Sequence, residues 1–381
     1  MLDSIGVTNF KAFARADIPL LPFTLLSGLN SAGKSTILQL LALLRQSSDA
    51  GVLEDGDGRG LLLNGDLVEL GTGRDVLHED YVDTGSAGPE IVLRLRQGTS
   101  SKTWSAAYGS ESDLLPLSSE TPPGPFASRL FGKGFQYLRA DRLGPAVTYP
   151  RSHETAVRKR FLGSRGEHAV NFLRHYADDL VQHESLLHPN ADSPSLLHQT
   201  DAWMREICPG VNLQASGVEN TDLVRLTYQF GTAGVASSQR YRSTNVGFGL
   251  SYVLPILIAC LTAESDSLIL LENPEAHLHP RGQTLMATVA AAAVAAGGQL
   301  IVETHSDHFL NGLRLAVKAG TISHDAVQLL YFQRNSDMER GRLVQPQIEI
   351  HTPRIGPDGM LSEWPHGFFD EWEHSLDQLL G

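Results

Sequence analysis

Lys34 and Ser35 close the run Gly28-Leu29-Asn30-Ser31-Ala32-Gly33-Lys34-Ser35, which fits G-x-x-x-x-G-K-[ST]. The spacing suits a phosphate. Glycines let successive backbone N–H groups wrap an anion at a helix N-terminus, a lysine reaches the β and γ phosphates, and a hydroxyl ligates Mg²⁺. The expected cradle is Gly28, Asn30, Ser31, Ala32, Gly33, Lys34, Ser35 and Thr36, with ATP and Mg²⁺ as its ligands. An ordinary glycine-rich turn at a helix start would explain the glycines alone, but the apolar strand before the run and the amphipathic helix after it are the context that the motif requires. Only six of the 30 basic residues are lysines, so a lysine at this place stands out.

A second set of chemistry-bearing residues lies in Ser267–Pro280, SLILLENPEAHLHP, where an apolar run ends in two carboxylates three positions apart. A carboxylate at a strand's end can hold Mg²⁺ through water, the role expected of Glu272. A second one just beyond can orient the attacking water beside a γ-phosphate, the role expected of Glu275. Solvated acids at a strand end are the plainer alternative. His277 and His279 are read as loop contacts at a nucleotide site rather than as a metal pair. Thr304-His305-Ser306 follows another apolar run, so His305 falls at the carboxyl edge of a sheet, where it could donate to a γ-phosphate. Asn245-Val246-Gly247-Phe248-Gly249-Leu250-Ser251 places Gly247 and Gly249 at the start of a buried helix. Bare amides there could accept a phosphate, and a helix start packed on a loop explains the glycines almost as well.

These residues need elements to hold them. Ile5–Val7, Ile18–Leu21 and Phe23–Leu26 read as short strands. Ile37, Leu40, Leu41 and Leu44 recur at helical spacing and give a helix over Ser35–Gln46. Ile91–Leu95 alternates like a strand, 109–125 is a Ser/Pro/Gly loop, and 152–186 carries helix-like spacing. From 245 onward helix and strand alternate: a buried helix over Gly247–Thr262 containing Pro255, a strand over Leu268–Leu271, a helix over Thr284–Ala296, a strand over Leu300–Val302, and a third strand over Val327–Phe332. Such alternation predicts a mostly parallel sheet flanked by helices.

Composition sets the limits. A chain of 381 residues with 41% hydrophobic and 19% charged residues is an ordinary globular chain, with room for two or three compact units at roughly 100 to 200 residues each. A net charge of −13 argues against a nonspecific nucleic-acid coat. Arg158, Lys159, Arg160 and Arg165 form a local exception, read as a solvated helix face or as a DNA- or partner-binding patch. Cys208 and Cys260 give neither a disulfide framework nor a zinc pattern. The first residues lack a signal-peptide pattern and no apolar run is long enough to span a bilayer, so a cytoplasmic protein without a membrane partner is expected.

The order of the phosphate loop, the glycine-rich helix start, E-N-P-E-A-H-L-H-P and E-T-H-S resembles the ABC-type ATPase heads of the RecF, SMC and OLD-nuclease kind. More narrowly, it resembles bacterial AAA-family ATPases that carry a DUF3696 tail. NFKAF, LLLNGDLVELGTGRDV, YLRADRLGP and the closing WPHGFFDEW carry the narrower likeness. The resemblance implies an α/β P-loop NTPase of ABC type with an N-terminal antiparallel β-subdomain and a mixed, largely helical insertion. Its segments would be 1–80 with the phosphate loop, 81–243 as the insertion, 244–335 with the second set of residues, and 336–381 as the tail. It further implies a head-to-head homodimer or higher oligomer enclosing two ATP, with Asn245–Ser251 as a signature supplied to the other subunit. Ala276–Pro280 would be the loop after the catalytic acid, His305 a switch histidine, and Gln46 a sensor of Mg²⁺ and water. Glu272 stands where such heads usually have Asp, which bears on hydrolysis more than on binding.

The reading that follows is an ATP-hydrolysing switch that controls a separately encoded effector, a nuclease or toxin, in anti-phage defence or DNA maintenance, with DNA as a possible further partner. The alternatives are an ATP-holding scaffold with little turnover, which Glu272 would favour, and the nucleotide-binding subunit of a transporter, from whose compact signature NVGFGLS departs.

Overall fold

The computed structural model describes residues 1–54, 58–85, 88–119, 121–232, 236–335, 338–339, 342–343, 347–369 and 371–380. The principal elements, in chain order, are β1 (Ser4–Phe10), β2 (Phe13–Pro19), β3 (Phe23–Gly28), α1 (Lys34–Asp49), β4 (Glu90–Gln97), β5 (Ser100–Ala107) and β6 (Phe135–Leu138). There follow α2 (Ala169–His175), α3 (Leu196–Ile207), β7 (Val211–Gly217), β8 (Leu223–Thr232), α4 (Phe248–Leu261) and β9 (Leu268–Glu272). The chain ends with α5 (Pro280–Ala295), β10 (Gln299–Glu303), α6 (Asp307–Lys318), β11 (Val327–Asn335), β12 (Gln347–His351) and α7 (Glu371–Leu380). They fall into two compact units, one built from 1–132, 328–354 and 363–381, the other from 133–327 and 355–362.

In the first unit, strands β2, β1, β4 and β5 form an antiparallel sheet in that order. Its inward positions are the alternate apolar ones. Ile5, Ile91, Leu93, Leu95 and Trp104 are fully buried, and each aliphatic side chain so buried contributes on the order of 1.5–3 kcal/mol. This is the expected N-terminal antiparallel β-subdomain. Beside it, β12, β11 and β3 are neighbours in a second sheet, with Phe332 opposite Ile350 in the antiparallel pair of β11 and β12. Helix α1 buries the stripe Ile37, Leu40, Leu41 and Leu44 completely, as the spacing predicts, and extends to Asp49.

In the second unit, β9 lies between β10 and β6, parallel to both. All of β10 is buried. The continuous apolar runs at β9 and β10 follow from cover on both faces. Helix α4 is apolar nearly all round and buried from Leu250 onward except at Tyr252, with Pro255 inside it. The stretch 81–243 carries more strand than its helical spacing suggests. It supplies β4 and β5 to the first unit, β6 to the parallel sheet, and the β7–β8 hairpin. Over 152–186 the helical periodicity resolves into a wide turn at His153–Arg158 and the short helix α2, with Gly163 and Gly166 at φ 84° and 71° between them.

Candidate functional site

The phosphate loop belongs wholly to the first unit. Strand β3 ends at Gly28 with φ 137°, Ser31 turns at φ 62°, and Gly33 caps α1 at φ 92°. Positive φ at these places turns backbone N–H groups toward one side, the geometry of an anion nest. The first turn of α1 holds no acidic residue and Gly33 offers no side-chain cap, so the helix N-terminus keeps its positive end for an anion. Lys34 is almost fully buried and closes the loop, donating to the Gly28 and Leu29 carbonyl oxygens at 2.8 and 2.7 Å. Ala32 and Thr36 are buried, Ser35 is half-buried, and Asn30 and Ser31 are exposed at the loop's tip.

Gln46 sits near the far end of α1, not at the loop. Its amide is buried, donates to Leu62 O at 2.6 Å and accepts from the Leu67 and Val68 N–H groups. In this geometry the side chain pins the segment after α1 to the helix. The sequence signal, a glutamine one helix away from a phosphate loop, did not reveal that use.

The acidic pair belongs to the second unit. Glu272 is the last residue of β9. Its carboxylate accepts from the Tyr137 hydroxyl at the end of β6 and from the Ala140 N–H at 2.9 Å. Burial, and next the charge of Glu272, holds the Tyr137 phenol well above its ordinary pKa, so Tyr137 remains a donor. Three residues on, after a turn through Asn273 at φ 44°, the half-buried Glu275 carboxylate accepts from the His305 N–H at 2.9 Å through Oε1. Its Oε2 is buried without a hydrogen-bond partner. Burial raises the Glu275 pKa above the ordinary glutamate value, against the opposing pull of the His305 amide, the Thr304 hydroxyl and Arg142. A carboxylate with one oxygen fixed, the other buried without a hydrogen-bond partner, and a raised pKa is suited to accept a proton from a water brought to it.

The structure thus gathers Glu272, Glu275 and His305 at the carboxyl ends of adjacent parallel strands. His305 contributes its backbone N–H to this group, and its residue is exposed. It also adds a residue that sequence reasoning passed over. Arg142 is 2% exposed and donates to the backbone oxygens of Arg139, Glu272 and Asn273 at 2.8, 2.7 and 2.7 Å. Its guanidinium lies 5.5 Å from the centre of the Tyr252 ring. Burial lowers its pKa to about 10, which leaves it charged at neutral pH. YLRADRLGP was the available signal: two arginines and an acid directly after a buried apolar strand, the place where a buried charge needs a reason.

The two glycines of the helix start differ. A Cβ on Gly249 would lie 2.7 Å from the His277 carbonyl oxygen, so close packing of α4 on the loop after Glu275 requires this glycine. A Cβ on Gly247 would meet nothing within 4 Å. Asn245 ends a short turn just before the helix. His277 packs its ring on Tyr252 at 4.5 Å and Phe248 at 5.9 Å. The His279 ring nitrogen accepts from the Arg281 N–H at 3.4 Å at the head of α5. His277 thus packs among aromatic rings and His279 caps α5.

The basic cluster is dispersed by local partners. Arg158 pairs with Glu154 at 3.2 Å, Arg160 lies over the Tyr176 ring at 4.6 Å, and Arg165 pairs with Asp141 at 3.5 Å. Among the described residues no helix is long and apolar enough to cross a membrane.

A family model described as an AAA domain, putative AbiEii toxin, Type IV TA system, matches residues 23–311. A model described as a protein of unknown function (DUF3696) matches 322–379. Among solved structures the chain is similar to an Smc head bound to the C-winged helix domain of ScpA, with 13% identity over 92% of this chain and 98% of that one and a TM-score of 0.49. A Pyrococcus furiosus Smc head with an extended coiled coil, bound to the C-terminal domain of ScpA, gives 10% identity over 100% and 99% and a TM-score of 0.47. The Thermotoga maritima SMC head domain gives 11% identity over 91% and 98% and a TM-score of 0.40. No curated protein matches the chain.

Proposed function

The chain belongs to the AAA-domain family described as putative AbiEii toxin, Type IV TA system, with a DUF3696 segment at its C-terminal end, and from that membership and the two sets of residues we propose that it is an ATP-hydrolysing switch. Gly28, Asn30–Thr36 and above all Lys34 bind the nucleotide's phosphates. Ser35 and, through water, Glu272 would hold Mg²⁺, which would supply charge neutralisation on the transferred phosphoryl group. A hydroxyl and a carboxylate are donor types that a hard cation takes, and within its own unit the Glu272 carboxylate is oriented by Tyr137 and Ala140. Glu275 takes the proton of the attacking water, and His305 donates to the γ-phosphate.

The observation that carries this reading is the Glu275 carboxylate, anchored by the His305 N–H on one oxygen while the other is buried and unpartnered. Glu275→Gln fills the same space and cannot act as a base. The expected outcome is ATP affinity unchanged in calorimetry with turnover reduced at least about 100-fold. Normal turnover by this variant would assign the base elsewhere.

The switch works as a head-to-head dimer around two ATP, with Asn245, Gly247 and Gly249 of one subunit completing the partner's site, and its opening and closing set the state of a separately encoded effector. The family is described as a putative toxin of a Type IV TA system, and the separately encoded effector is our proposal beyond that description. Phage defence and DNA maintenance are the settings that this chemistry suits, in the cytoplasm. The hydrogen bonds already held by both Glu272 oxygens favour one second reading, an ATP-holding scaffold with slow turnover. Steady-state hydrolysis by the unmodified chain separates the two.

A further inference from the structure

We propose that Arg142 is the positioning residue for Glu275, clamping the turn that carries this carboxylate and supplying the buried positive charge that offsets it. The inference rests on the reading of Glu275 as the base.

The chain leaves β9 through Asn273 at φ 44° and passes His277 at φ 63°, two left-handed conformations within five residues. Such residues persist only where the surroundings over-determine them, each at roughly 1–3 kcal/mol. The Arg142 guanidinium supplies that determination. One arm donates to Glu272 O and the other to Asn273 O, the two carbonyls that flank the left-handed turn. A third bond, to Arg139 O, fixes the guanidinium to its own segment. Tyr252 of α4 lies against its face, and the same tyrosine packs on His277 at the turn's far end. The turn is thus held at both sides by groups that meet at Arg142.

Charge points the same way. Glu272 and Glu275 are half-buried, and Glu303 on β10 is 6% exposed and opposite Glu272 in the strand register. Asp141 adds a further acid to the surroundings of Arg142, and Tyr252 adds a phenol. Arg142 is the buried guanidinium among these acids, and its charge favours ionised Glu275. Lysine could replace the charge but not the planar fork that reaches two adjacent carbonyls.

The test uses the full chain and the variants Arg142→Met and Arg142→Lys, with ATP affinity, turnover and hydrogen exchange measured together. Arg142→Met should bind ATP within about threefold of wild type and turn over at least about 100-fold more slowly, with Arg142→Lys recovering part of the loss. Combined with Glu275→Gln, Arg142→Met should slow turnover no further, because a residue that acts through another adds nothing once that one is gone. Without any nucleotide, the 272–278 peptide should exchange faster in Arg142→Met. Turnover within threefold of wild type, a multiplicative loss in the double variant, or unaltered exchange would each overturn the proposal. If Arg142→Met does not fold, the same comparisons on Arg142→Lys decide. A wild-type chain that hydrolyses no ATP defeats the ATPase reading, and the exchange result then judges the clamp by itself.

Discussion

Gly28 and Phe332 touch backbone to backbone: a Cβ built on Gly28 would lie 2.1 Å from the Phe332 carbonyl oxygen, at a φ of 137° that only glycine adopts freely. The phosphate loop is therefore seated against β11, and Ile348 of β12 stands 3.2 Å from the place a Gly33 Cβ would take. The segment matched as DUF3696 thus forms part of the loop's wall within the first unit. Gly28→Ala should combine backbone strain with this clash and destabilise the chain by about 2 kcal/mol or more, with loss of ATP binding. Thermal unfolding and calorimetry on one preparation check both.

This seating shows which parts of the fold a sequence reveals. Strand β1 and helix α1 were legible because period-2 and period-3.6 burial writes itself into residue order. Strand β3 was legible as an apolar run, while β2 spans Phe13–Pro19 and only its end overlaps the expected Ile18–Leu21. Strands β9 and β10 were legible as apolar runs, and Glu272 and Glu275 as acids at a strand's end. The contact of Gly28 with Phe332 was not, since it joins residues some 300 positions apart through backbone atoms that carry no residue-type signal. Arg142 escaped for a related reason: its partners are carbonyl oxygens and one ring, which any sequence could supply. Helical spacing over 152–186 misled because apolar residues at Phe161, Leu162 and Phe172 are buried or half-buried from short, separate turns.

Lys34→Met should abolish ATP binding, since no other group of the loop neutralises the outer phosphates. It should also loosen the loop itself, because the ammonium's bonds to Gly28 O and Leu29 O are lost. Charge-assisted bonds contribute roughly 1.5–3 kcal/mol each, net of the bonds to water that they replace. A lower unfolding midpoint together with no calorimetric signal is the expected pair of results. Retained affinity would remove Lys34 from the phosphate site.

Glu275 has a signed pH effect. Burial raises its pKa above the ordinary value, so the folded state favours the neutral carboxyl. Below both the folded and the unfolded values the group contributes nothing. As pH rises through the unfolded and then the folded value, stability is lost. Glu275→Gln cannot ionise, so it should unfold at a higher temperature than wild type at about pH 8, with the difference vanishing near about pH 4. Turnover runs the opposite way, since the base must be ionised. Its acid limb should lie above the ordinary carboxylate range. Identical stability profiles for the two proteins would mean that the carboxylate is hydrated and its pKa unshifted.

The contrast between Gly249 and Gly247 sets the last prediction. Packing on His277 O accounts for Gly249, so Gly249→Ala should disturb the loop after Glu275 in every subunit that carries it. Nothing in the chain's own structure requires Gly247, whose φ of −56° is ordinary and whose Cβ position is open. Gly247→Ala should therefore leave stability unchanged within about 0.5 kcal/mol. If that open face meets the γ-phosphate held by a partner subunit, Gly247→Asp should fold normally and lose turnover, because a carboxylate there repels the phosphate. Mixing Gly247→Asp with Lys34→Ala then separates action within a subunit from action across the dimer. In a mixed dimer one composite site receives both defects and the other receives neither. An equal random mixture should regain about a quarter of the wild-type rate, since half of its dimers are mixed and each has one intact site. No recovery, with mixed dimers shown to form by exchange of a tagged subunit, would place Gly247 with its own nucleotide or make the two sites interdependent. A full rate from a verified monomer would reject the two-ATP dimer outright.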